Sequence, residues 1–263
     1  MRRRLDTELV RRGLAGSRSQ AAEAVASGRV LVAGAPALSA SRQVRDDEPI
    51  SLTGPPARFV SRGGEKLDTA IDAFALDVAG RRCLDAGAST GGFTDCLLQR
   101  GAAHVVAVDV GHGQLAWSIR NDDRVTVLER TNVRDLASIG EPAEICVADL
   151  SFISLRLVAP ALARLTTSDA GFLLLVKPQF EAGRDRVGKG GIVRDAAVHL
   201  DVLRDVGAGL AAAGLVAHGV IASPLRGADG NLEFVLYATK SGRPVDDREL
   251  AHVVARAHGE DGS

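Results

Sequence analysis

From residue 65 to residue 240 the chain alternates apolar, β-branched runs with turn and helix-forming stretches, and this alternation restricts its fold more than any other feature. The runs "RRCLDAG", "HVVAVDVG", "RVTVLERT", "EICVADLSF" and "GFLLLVKPQF" have the length and composition of buried strands. Strands separated by helices predict an α/β fold built on a doubly wound, mostly parallel sheet, with ligands at the carboxyl ends of its strands. The last two strands, "AHGVIASPL" and "LEFVLYATK", follow each other across "RGADGN" with no helix between them, so they read as a terminal antiparallel hairpin. A dinucleotide-binding oxidoreductase continues helix then strand at this point, and is disfavoured.

The first 58 residues differ in character. They carry ten arginines against six carboxylates, whereas the chain as a whole has a net charge of -1. "RLDTELVRRGL" and "SRSQAAEAVASG" read as two helices, the second capped by Ser17 and ended at Gly28. Short strands in "RVLVAG" and "RQVRDDEPISL" follow, making a small α+β domain over residues 1–54. "LTGPPARFVSRGG" has paired prolines and paired glycines, so residues 55–64 read as a stiff linker to a larger domain over 65–245, with a helix and tail over 246–263. No apolar stretch approaches the roughly 18 residues of a spanning helix, and the arginine-rich start lacks a signal-peptide core, so no membrane role is expected. Cys83, Cys96 and Cys146 are unpaired in pattern and the histidines show no ligand spacing. Buried thiols in a reducing cytoplasm and no metal site are the expectation.

Three successive strands end on a carboxylate: Asp85 in "CLDAG", Asp109 in "VVAVDVG" and Asp149 in "VADLSF". After Asp85 come Gly87, Gly91 and Gly92 and a helix starting near Phe93, which is the pattern of a loop brought close to a ligand. Asp109 is spaced to hold ribose hydroxyls. Asn132, Val133 and Asp135 stand where such folds hold an adenine. Trp117 at helical spacing reads first as a core residue and second as a border of that adenine site. The fifth strand ends on Lys177. Only four of the 32 basic residues are lysine (Lys66, Lys177, Lys189 and Lys240), which singles out lysine for positions where arginine cannot release a proton. Lys66 opens the first helix after the linker and Glu233 begins the last strand, so Lys66, Asp149, Lys177 and Glu233 meet at one sheet edge. There Lys177 either takes the proton of an attacking hydroxyl or, charged, orients that hydroxyl and stabilises the developing alkoxide.

These strings resemble known families. Residues 4–51 are similar to the RNA-binding domain first described in ribosomal protein S4. "LDAGASTGGF" resembles the cofactor loop of FtsJ-like RNA methyltransferases. Lys66, Asp149, Lys177 and Glu233 match in order and context the Lys-Asp-Lys-Glu tetrad of those ribose 2'-O-methyltransferases. With the front domain included, residues 4–240 resemble the TlyA family, also called haemolysins. The resemblance implies an S-adenosylmethionine site from Asp85, Gly87, Ser89, Thr90, Gly91, Gly92, Phe93, Asp109, Val110, Asn132, Val133 and Asp149. It implies methylation of cytidine 2'-hydroxyls in ribosomal RNA of the large subunit and, in members with fuller ends, of both subunits. Arg2, Arg3, Arg4, Arg11 and Arg18 of the front domain, with Arg62, Arg184, Arg186 and Lys189 beyond it, are the expected RNA contacts. The family's Arg-Ala-Trp-Val linker motif is replaced here by Ala57-Arg58-Phe59-Val60. The chain is expected to work as a monomer on ribosomal RNA or ribosomal subunits.

Overall fold

The computed structural model describes residues 2–16, 18–54, 57–227 and 230–259. The expected cap at Ser17, the paired prolines of the linker, part of the "RGADGN" loop and the end of the tail therefore lie outside the described residues. The chain divides into two compact units, Met1–Ser61 and Arg62–Ser263.

The first unit runs β1 (Arg2–Arg4), α1 (Leu5–Arg11), α2 (Arg18–Ala26), β2 (Val30–Val32), β3 (Ala35–Pro36), β4 (Gln43–Arg45) and β5 (Ile50–Leu52). β1 pairs with β4, and β3-β2-β5 form a second antiparallel sheet. Leu5 and Leu9, one helical turn apart on α1, are buried with Val25 of α2 and with Val30 and Val32, the alternate residues of β2.

The second unit opens on α3 (Gly63–Ala73), which starts two residues inside the segment read as linker, because the paired glycines form the first turn of the helix. There follow β6 (Arg82–Ala86), α4 (Gly92–Gln99), β7 (His104–Val108), α5 (Trp117–Arg120), β8 (Val125–Leu128), β9 (Ala143–Ala148), α6 (Leu155–Arg164), β10 (Thr166–Val176), α7 (Pro178–Glu181), α8 (Ala196–Ala212), β11 (Val216–Ala222), β12 (Phe234–Thr239) and α9 (Asp247–Ala257). The strands form one seven-stranded sheet in the order β11-β12-β10-β9-β6-β7-β8. β6 to β10 pair in parallel, and β12 is antiparallel to both β10 and β11. Alternate residues Leu84, Val106, Cys146, Phe172, Leu174 and Phe234 share a core with Val158 and Leu162 of α6 and with Val202, Val206 and Leu210 of α8. α3 and α4 pack together and against β10, β6 and β7. Covering both faces explains why the strands read as unbroken apolar runs.

Register sets the edge at which chemistry is placed. Ala86 lies opposite both Val108 and Ala148, Leu174 opposite Ala148, and Val176 opposite Phe234. Gly87, Asp109, Asp149 and Lys177 each follow the last paired residues of their strands, and Glu233 precedes the first of its own, so all five emerge at one rim.

Candidate active site

The end of β6 and the loop after it combine a buried acid with an open crevice. Asp85 has no exposed surface; its Oδ2 accepts a hydrogen bond of 2.6 Å from the Thr94 hydroxyl of α4, and its Oδ1 has no partner. Burial pushes this carboxyl up to about 7, against the Thr94 hydroxyl and aided by the charge of Asp149. Gly87 sits at φ +90°, and a Cβ there would collide with the Asp149 carbonyl. The loop can therefore approach a ligand only as glycine. Asp109 is held open by two backbone donors, Ser89 N–H to Oδ2 at 2.8 Å and Gly111 N–H to Oδ1 at 2.6 Å. Its carboxylate lines a concavity with Ser89, Gln114, Leu115 and Glu129. An orphaned buried carboxylate oxygen, a side-chain-free cradle and an oriented second carboxylate fit the amino-acid and ribose parts of S-adenosylmethionine.

The other expected cofactor residues divide by role. Phe93 is buried, so its side chain packs α4. Val133 joins the core, while Asn132 accepts a hydrogen bond of 3.1 Å from Arg134 N–H and caps the short turn Val133–Asp135. Val110 is exposed. Trp117 is not a core residue: it is 80% exposed at the start of α5, just past Gln114 and Leu115 of the crevice. Glu129, which follows β8 as Asp109 follows β7, was not singled out from sequence. It pairs with Arg120 and His112 and accepts from Gly113 N–H at 2.8 Å, which pins the crevice wall.

The tetrad assembles as two ion pairs. Lys177 faces Asp149 and donates to Ser151 Oγ at 3.1 Å, and Lys66, in the first turns of α3, pairs with Glu233. The side chains of Lys66 and Lys177 are almost equally enclosed, at 11% and 13% exposed, and the pairs differ in their acids, with Glu233 at 2% and Asp149 at 23%. Pro178 is the first residue of α7 and sets the turn that leaves Lys177 at its N-cap. Beside this pair stands a second feature that sequence reading missed. Phe152 is 90% exposed at φ +64°, an unfavourable conformation for a bulky residue, and its ring lies 4.9 Å from that of Phe180. Burial and backbone strain leave no mark in sequence, although Phe152 and Phe180 each follow a tetrad residue by three positions.

The basic positions are mostly organised by internal acids. In the first unit, buried Asp6 accepts from Arg4 and Arg18, and buried Glu8 from Arg11 and Arg12. The Arg4 guanidinium holds the Asp6 carboxyl well below the usual carboxylate range. Arg3 pairs with Asp46. Arg58 stacks over the ring of Phe59 at 4.6 Å, and Phe59 is buried. In the second unit Arg62, Arg184 and Lys189 are exposed, while Arg186 donates to the Ala182 carbonyl at 2.7 Å and pairs with Asp201.

Comparison with known proteins identifies the family of each unit. Residues 3–50 match the S4 domain family and residues 59–240 the FtsJ-like methyltransferase family. The chain is 52% identical, over 97% of each protein, to the 16S/23S rRNA (cytidine-2'-O)-methyltransferase TlyA of Mycobacterium tuberculosis. It is 38% identical to Hemolysin A of Brachyspira hyodysenteriae over 89% of this chain and 98% of that protein. A solved haemolysin-named structure from Streptococcus thermophilus superposes with a TM-score of 0.80 at 40% identity, over 98% of this chain and 96% of that one. With an S4 domain, an FtsJ-like methyltransferase domain and full-length likeness to these relatives, the chain belongs to the TlyA family of rRNA methyltransferases.

Proposed function

We propose that this chain transfers a methyl group from S-adenosylmethionine to the ribose 2'-hydroxyl of cytidines in both 16S and 23S ribosomal RNA. The observation that carries the reading is the pairing of Lys177 with Asp149 and of Lys66 with Glu233 at the rim that also bears Gly87 and the crevice at Asp109. The extension to both RNAs rests on extent of likeness. The Mycobacterium relative named for both is matched over 97% of this chain, whereas a Campylobacter jejuni relative named for 23S rRNA alone is 33% identical over 70%.

The cofactor supplies an electrophilic methyl on a sulfonium, and Asp85, Gly87, Ser89 and Asp109 are the residues that would hold it. The protein's own task is to present a hydroxyl oxygen in line and to deal with its proton. Lys177 Nζ is the group for this. It is steered by Asp149 and already donates to a hydroxyl, that of Ser151, at 3.1 Å, the kind of group a ribose would present to it. Lys66 and Glu233, buried as a pair, form the second arm of the tetrad. Phe152 and Phe180 offer an apolar face at the mouth of the site on which an unstacked base can rest, the usual way a single nucleotide is held apart from its strand. Both ion pairs of the tetrad close within a single chain, as action as a monomer requires. A ribosomal substrate and three buried thiols support a cytoplasmic setting.

The test is transfer of radiolabelled methyl to small and large subunits separately, with mapping of the modified nucleotides. Lys177→Ala should reduce transfer by at least a thousandfold while cofactor affinity stays within about threefold, and Lys177→Arg should fail equally. Turnover near that of the unmodified enzyme in Lys177→Ala would sink the reading.

A further inference from the structure

Among the described residues, Asn231 is the only side-chain amide sequestered wholly from solvent. It lies in the connection from β11 to β12, two residues ahead of Glu233. Its Oδ1 accepts a hydrogen bond from Val193 N–H and its Nδ2 donates to the Gly191 carbonyl, both at 2.9 Å. The amide thus pairs with the chain at 191–193 as a neighbouring strand would. The segment it holds is the end of the glycine-rich basic loop that leaves α7 after Lys177. That loop is folded on itself by Gly188 N–H to the Ile192 carbonyl and Gly191 N–H to the Gly188 carbonyl, each at 3.1 Å. On its other side the Asn231 carbonyl accepts from Gly227 N–H at 2.9 Å. This draws Gly227 over the Glu233 carboxylate so closely that a Cβ at 227 would stand 2.5 Å from Glu233 Oε1. One buried residue therefore joins the loop carrying Arg184 and Lys189 to the cover of the Lys66–Glu233 pair.

We propose that Asn231 is a positioning residue that couples RNA engagement of the loop at 184–189 to the Glu233 arm of the tetrad. Phosphate contacts at Arg184 and Lys189 order the loop. Through its two amide bonds that order is passed to Asn231, and from there to Gly227 and to the carboxylate Gly227 covers. Binding energy gathered away from the reacting oxygen is in this way used to hold the catalytic arrangement, so its loss should appear in kcat and not only in KM. The proposal rests on the reading that this loop touches RNA.

The test is a double-mutant cycle between Asn231→Ala and the pair Arg184→Ala/Lys189→Ala, read as kcat, KM for rRNA and Kd for S-adenosylmethionine. The loop pair alone should raise KM for rRNA several-fold and lower kcat. Asn231→Ala should lower kcat at least tenfold with cofactor Kd within twofold, and adding the loop pair to it should cost little more. Fully additive losses would overturn the coupling and leave the loop as an RNA contact. An unchanged KM for rRNA in the loop pair would overturn the contact itself, and the coupling with it. A measurement on the unmodified protein guards against a misfolded variant: binding of rRNA should slow amide exchange at Val193 and Gly227 together, and protection confined to one of them counts against the proposal.

Discussion

Lysine is rare in this chain, and its uses separate cleanly by residue. Lys177 and Lys66 form the two arms of the tetrad, while Lys240 donates to the carbonyls of Ala163 and Thr166 at 2.7 and 2.8 Å and so finishes α6. Asp85 gives the sharpest residue-scale prediction. With its carboxyl raised to about 7 in the folded chain, against about 3.9 when unfolded, the folded state holds a proton that the unfolded state releases. Its contribution to stability is full below about pH 4 and is lost as pH rises through 7. Asp85→Asn, which cannot ionise, should accordingly gain on the unmodified cofactor-free protein in thermal melts as pH is raised from 5.5 to 8. At pH 8 the same variant should bind S-adenosylmethionine roughly 10- to 100-fold more weakly, the worth of a charge-assisted hydrogen bond. Residues of this kind were legible in sequence because a charge at the end of an apolar run marks a sheet rim. Phe152, Asn231 and Glu181 were not, since a polar or aromatic residue in a loop reads the same whether the fold buries it or leaves it out.

At the scale of elements, the junction of α6 and α7 deserves a measurement of its own. Glu181, buried at the end of α7, accepts from the Ser154 hydroxyl at 2.5 Å and from Leu155 N–H at 2.7 Å. It satisfies one of the free donors at the start of α6 and ties to that helix the short turn that begins at Lys177. Glu181→Ala should destabilise the protein by about 1–3 kcal/mol in chemical denaturation. Loss of transfer should accompany this, because Lys177 and the loop after it share that anchor. The alternation of strands with helices and the terminal hairpin were predictable from apolar runs and missing helices. The short turns at Val133–Asp135 and Arg184–Arg186 were not, because three residues carry too little periodicity to distinguish a turn of helix from a loop.

Taken as a whole, the molecule joins a unit whose arginines are organised by Asp6 and Glu8 to a unit that holds the chemistry. Those acids neutralise part of the cluster yet fix the directions of its guanidinium groups, a favourable starting point for reading a regular array of phosphates. Arg18→Ala should raise KM for rRNA without altering cofactor affinity and should lower the slope of log affinity against log salt by about one. The name shared with haemolysins does not extend to a spanning helix, for among the described residues none is long and apolar enough to cross a membrane. Finally, the exposed indole at the head of α5 has a practical consequence. The chain contains a single tryptophan, so emission excited at wavelengths beyond the absorption of Tyr237 comes from Trp117 alone, a few residues from Gln114 and Leu115 of the crevice. Adding S-adenosylmethionine should shift or quench that emission. Cofactor occupancy can then be followed in real time on unlabelled enzyme, before any RNA is present.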